Sequence, residues 1–74
     1  MKRTDIEKIF KAEGVEIGDK ILITERLSGG KMGQRYFTLD QICTHSLRTS
    51  DSDLGSRYII DFNKIENIES AEAV

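Results

Sequence analysis

The stretch from Asp19 to Ile42, DKILITERLSGGKMGQRYFTLDQI, constrains this chain more than any other. Two runs rich in Ile, Leu, Thr, Tyr and Phe flank Ser28-Gly29-Gly30-Lys31-Met32-Gly33. Branched and aromatic side chains suit a pleated, half-buried surface. Glycines supply the positive φ angles that a reversing connection needs. The stretch therefore predicts a long antiparallel β-hairpin with a tip of about six residues, a little longer than the usual two to five.

Period-two alternation assigns the faces. In a first strand over about 20–27, Ile21 and Ile23 point one way and Lys20, Leu22, Thr24 and Arg26 the other. In a second strand over 34–42, Phe37 and Leu39 share a face and Tyr36 lies opposite. Ile21, Ile23, Phe37 and Leu39 are the expected core, and Leu22 is expected to meet a helix or a partner.

Residues 4–13 read as a short helix. Thr4 and Glu7 fit a capping box, and Asp5 with Glu7 complements the positive end of the helix dipole. Ile6, Ile9 and Phe10 form one apolar stripe, and Gly14 stands where a left-handed cap is wanted, with Val15 folding back. A helix of ten residues does not hold alone in water, so its stripe must dock on the sheet. Val15 and Ile17 then lead through a Gly18-Asp19 turn signal into the hairpin.

Beyond the hairpin, residues 43–49 read as a third strand with Cys43, His45 and Leu47 on one face, and Asp40-Gln41 as a bend, or the second and third strands as one long bent strand. Residues 50–56, SDSDLGS, are a turn cluster. A fourth strand over 57–62 sets Tyr58, Ile60 and Phe62 against Ile59, apolar on both faces as in a strand that closes a barrel. Asn63-Lys64 is a tight turn, residues 65–69 a last strand, and 70–74 an acidic tail expected to fray. The chain of 74 residues reads as one domain, 1–74. Four to five short strands after one helix predict a mainly β fold. A strongly bent antiparallel sheet of this size tends to close into a barrel because closure removes exposed edges.

A chain this short buries only about 60% of its extended surface, which disfavours a deep catalytic cleft. It contains no apolar run near the roughly 18 residues of a membrane helix. The start, Met1-Lys2-Arg3-Thr4-Asp5, lacks the apolar stretch of a signal peptide. One cysteine, Cys43, cannot form an internal disulfide and suits a reducing cytoplasm. The net charge of −2 hides an asymmetry: residues 1–48 carry nine basic and seven acidic side chains, residues 49–74 two and six. Such a distribution can steer an anionic partner to one face, or be ordinary surface charge.

The run Ile17-Gly18-Asp19-Lys20-Ile21-Leu22-Ile23-Thr24, the glycine-rich tip, Phe37-Thr38-Leu39 and the closing Tyr58 to Ile65 resemble small SH3-like barrels. Their entry and ending also resemble Sm-like barrels, which carry an N-terminal helix. The resemblance covers about residues 15–69 and implies an SH3-like antiparallel barrel of four to five strands with one N-terminal helix. Proteins of this layout are common among phage and prophage genes, so it implies a phage or prophage source. The RNA-binding signature of the Sm family is not visible in the chain.

Gly29-Gly30-Lys31-Met32-Gly33 lacks the Ser or Thr after lysine, and the following helix, that a phosphate loop needs; it reads as a hairpin tip. Cys43 and His45 could form a thiolate pair or two metal ligands, but no second Cys or His exists to complete a structural zinc site. A small buried Cys with a rim His is the plainer reading. Asp51-Ser52-Asp53 lacks the glycine and distal glutamate of a calcium loop. The chain is thus expected to be a non-enzyme with no cofactor and no metal.

Arg26, Lys31 and Arg35 fall near the far end of the hairpin beside Tyr36, a pattern that can track a phosphate backbone and stack a base. A pI near 5.3 argues against general nucleic-acid affinity. The expected function is a cytoplasmic binding module acting on an unknown protein, with nucleic acid as the alternative ligand and no membrane. The expected surface comprises Arg26, Lys31, Arg35, Tyr36 and Tyr58, with Leu22 or Leu54 adding apolar area. A free edge strand would also allow pairing of identical chains.

Overall fold

The structure, a computed structural model, describes residues 1–51 and 53–71. One helix precedes five strands: α1 Arg3–Glu13, β1 Lys20–Arg26, β2 Met32–Ile42, β3 Ser46–Ser50, β4 Arg57–Asp61 and β5 Ile65–Ser70. The strands form a single antiparallel sheet in the order β4-β3-β2-β1-β5. The fold is mainly β, as the alternation predicts. Among the described residues no helix is long and apolar enough to cross a membrane.

The hairpin of β1 and β2 is the centre of the sheet, with Ile21 opposite Phe37 and Leu22 opposite Tyr36. Its tip is shorter than the sequence suggests, because Met32 already pairs with Arg26. Gly29 and Gly30 turn the chain at φ 73° and 76°, and the Leu27 N–H donates to Lys31 O at 2.7 Å. The expected core is in place: Ile21, Ile23, Phe37 and Leu39 are buried together with Leu47, Ile60, Phe62, Ile65 and Ile68. Burying each such side chain is worth about 1.5–3 kcal/mol before entropy is counted.

The helix begins one residue early and is capped differently. Asp5, not Glu7, accepts from the backbone of the N-cap, where the Lys2 N–H donates to its carboxylate at 3.3 Å. Glu7 instead pairs with Arg3 one turn back, at 2.7 Å. Gly14 closes the helix in the left-handed region at φ 69°, and the Val15 N–H returns to Phe10 O at 2.8 Å. Ile6 and Phe10 enter the sheet's core, and α1 lies against β5.

β2 bends where Asp40-Gln41 suggested. The β2–β3 register shifts between Leu39 and Gln41, and such an interruption bends a strand. A three-residue turn, Phe62–Lys64, joins β4 to β5. A flat sheet would hold these edge strands four spacings apart, about 19 Å. A 3₁₀ turn advances only about 2 Å per residue. The sheet must therefore curl, bringing the end of β4 beside the start of β5. The curl stops short of the expected closed barrel: no ladder joins β4 to β5 among the described residues, and the sheet is open.

Four further expectations are corrected. Residues 43–45 form a hairpin turn, not part of a strand, with the Cys43 N–H donating to Ser46 O at 2.9 Å. With Ile42 opposite Leu47, the four residues between them have to reverse the chain. β4 is not buried on both faces, because Ile59 points to the outer face of the sheet, away from Ile60 and the core, where it is exposed. Ile17, expected to enter the sheet, is also exposed. The tail does not leave the sheet at residue 70: Ser70 pairs with Ile21, and the Ala71 N–H donates to Lys20 O at 3.0 Å. Residues 72–74 of the expected tail lie outside the described residues.

Candidate binding edge on β4

The β3–β4 hairpin is built by its turn. The Asp51 N–H donates to Ser56 O at 2.8 Å, and the Gly55 N–H to Asp51 O at 2.9 Å, with Gly55 at φ 70°. The Asp51 carboxylate accepts the N–H groups of Asp53 at 2.8 Å and Leu54 at 3.2 Å. These two bonds hold its pKa below the usual aspartate value; the charge of Arg35 adds to them and slight desolvation opposes them. Asp51 thus anchors the turn through the backbone of Asp53 and Leu54. Ser52 within it lies outside the described residues.

The turn sets which backbone groups β4 leaves free. Antiparallel ladders alternate hydrogen-bonded and non-bonded pairs. Asp51 bonds Ser56, and the Phe62 N–H donates to His45 O at 3.0 Å. With Thr49 opposite Tyr58 and Leu47 opposite Ile60, the N–H and C=O of Tyr58 and Ile60 therefore face β3. Those of Arg57 and Ile59, and the N–H of Asp61, face the open edge, while the Asp61 C=O caps the three-residue turn that follows. The side chains of these same three residues lie on the outer, solvent face, and Ile59 is 67% exposed.

Beside this edge the outer face carries a shallow groove lined by Gln41, Arg48, Ser50, Arg57 and Ile59, with Gly55 at its rim. Arg48 stands directly opposite Ile59, and Arg57 opposite Ser50, so the two guanidiniums are diagonal neighbours. Among the described residues the groove has one carboxylate, Asp40, which accepts a hydrogen bond from the Ser50 hydroxyl at 3.2 Å. Among the described residues neither Arg48 nor Arg57 has an ion-pair partner.

The residues singled out from the sequence do not converge on one patch. Arg26 is ion-paired with Glu66 on β5. Arg35 lies on the inward face of β2, its guanidinium 4.9 Å from the Phe37 ring centre and 4.8 Å from that of Tyr58. Tyr58 is half-buried, edge-on to Phe37 at 5.6 Å. Tyr36 points to the opposite, outer face, with the Lys20 ammonium 5.3 Å from its ring centre. Lys31 stands exposed at the hairpin tip. Leu22 is half-buried beside Tyr36, and Leu54 projects from the β3–β4 turn, 78% exposed.

Sequence reasoning did not single out Arg48, Arg57 and Ile59. The readable signal was the alternation Arg57-x-Ile59-x-Asp61, which places a charged and an apolar side chain on one face. Cys43 is half-buried and His45 exposed in the β2–β3 turn. No group of three His, Cys, Asp or Glu among the described residues could hold a metal ion. Comparison of the chain with protein families, with characterised proteins and with solved structures gives no match.

Proposed function

We propose that this protein is a small, non-enzymatic binding module that adds an extended segment of a partner protein to the edge of β4. The observation that carries the reading is the row Arg57, Ile59, Asp61. Among the described residues it offers unpaired backbone groups at Arg57 and Ile59, an unpaired N–H at Asp61, and an exposed branched side chain on one strand. A strand added there gains main-chain hydrogen bonds for affinity and side-chain contacts on alternate residues for specificity. The module is read as an SH3-like barrel left open at one seam. Strand order β4-β3-β2-β1-β5 and the single turn between β4 and β5 support that reading.

Ile59→Lys tests it. Natural sheets use lysine to keep edges from pairing. The side chain faces solvent, so the fold should survive, with thermal unfolding as the check. Proteins cross-linked to β4 of the wild type in an extract of the source organism should be lost with Ile59→Lys and kept with Tyr36→Ala. Retention of all of them by Ile59→Lys would overturn the proposal.

A further inference from the structure

Resting on the edge-strand reading above, we infer that the partner segment is acidic and apolar in alternation: a glutamate beside Arg57 and a branched apolar residue beside Ile59, two positions apart. The argument is charge complementarity along a defined register. Successive outward side chains on a strand are about 6.6 Å apart. Arg57 and Ile59 occupy two such places, and Arg48 reaches the same groove from the neighbouring strand. Elsewhere the basic side chains of the sheet are engaged: Arg26 with Glu66, Arg35 with two aromatic rings. Among the described residues, Arg48 and Arg57 are the basic side chains lining the groove, and its one acid, Asp40, already accepts from Ser50.

The geometry also ranks the acids. A side chain on the added strand must lean over β4 to meet both guanidiniums. Glutamate reaches further than aspartate by one methylene and suits that span. Asp61, next in the row, disfavours an acid at the third outward position. A ligand in the matching direction thus reads acid, apolar, then neutral or basic on every second residue.

The test uses the full chain, ¹⁵N-labelled, and three blocked decapeptides. Three successive outward positions carry Glu, Val and Gln in that order, or Gln in place of Glu, or Lys in place of Glu, with Thr at all other places. The Glu peptide should bind at least about tenfold tighter than the Gln peptide, as a desolvated charge pair allows. The Lys peptide should bind weakest. Arg57→Glu should reverse the order of Glu and Lys peptides. On binding, the amides of Arg57, Ile59 and Asp61 should gain protection from hydrogen exchange, while those of Tyr58 and Ile60 stay as they were.

Equal affinity for Glu and Gln peptides, with the edge amides protected, would overturn the acidic preference and leave the edge reading standing. Failure of every peptide to protect those amides would overturn both. Edge protection without peptide, together with a doubled mass in light scattering, would assign the edge to a second copy of the chain. Displacement of the Glu peptide by a single-stranded oligonucleotide at equal concentration would make the groove a phosphate site and overturn the inference.

Discussion

At the scale of single residues, alternation decides what a side chain does more than its chemical type. Arg35 and Tyr36 are neighbours in sequence, yet a strand sends them to opposite faces. Arg35 becomes a lid over Phe37 and Tyr58 instead of a partner to Tyr36. Arg35→Ala should therefore lower stability by about 1 kcal/mol, read from urea unfolding, since a guanidinium over a ring is worth roughly 0.5–1 kcal/mol at exposed sites. An unchanged midpoint would mean the stacking contributes nothing. Asp51 makes a prediction in pH. Its carboxyl is held down by the N–H groups of Asp53 and Leu54 and by Arg35. A carboxyl with a lowered native pKa stabilises the fold above its unfolded value, and the contribution disappears as pH falls through the native value. Asp51→Asn keeps an acceptor oxygen but cannot titrate. Its stability should fall less steeply on acidification than that of the wild type, and equal acid limbs would remove Asp51 from the account.

At the scale of elements, the glycines separate two kinds of requirement. Gly14 sits at φ 69° with open space around it, so only its backbone conformation demands glycine. Gly14→Ala should cost about 1 kcal/mol at the end of α1. Gly33 has no positive φ, but an added Cβ would come within 2.9 Å of Leu27 Cδ1. Leu27 is an exposed, flexible side chain that can swing aside. Gly33→Ala should therefore change stability by less than about 0.5 kcal/mol, within the usual range of surface substitutions. Reversal of the two in denaturant unfolding would discard this ranking. Helix, hairpin and core were legible in the sequence because their signals are local: period two in Ile21, Ile23, Phe37 and Leu39, a stripe at Ile6 and Phe10, a cap at Gly14. The turn at Cys43–His45 was not legible, because polar and apolar residues alternate there as they would in a strand. The edge site was hidden for a different reason. Arg48 meets Ile59 only through the β3–β4 register, and Ile59 looks like core until the outer face of β4 is known to be exposed.

At the scale of the molecule, the arrangement of strands sets how protection from solvent is distributed. β1 is paired on both sides, with β2 and with β5, and its Ile21 and Ile23 are wholly buried. Core strands of this kind exchange their amide protons only by global unfolding. Among the described residues β4 is paired on one side alone. In dilute protein the amides of Ile21 and Ile23 should exchange slowest, those of Tyr58 and Ile60 at intermediate rates, and those of Arg57, Ile59 and Asp61 fastest. The contrast within β4 is the informative part, because its five residues share one strand and one neighbourhood. Local fraying would expose all five together, whereas an unpaired edge exposes alternate ones. Protection of Arg57, Ile59 and Asp61 equal to that of Ile60 would mean the seam between β4 and β5 is bridged. If that protection persisted on dilution, the bridge would be internal and the sheet a closed barrel with no edge to offer. If it vanished on dilution, a second chain would be supplying the missing strand.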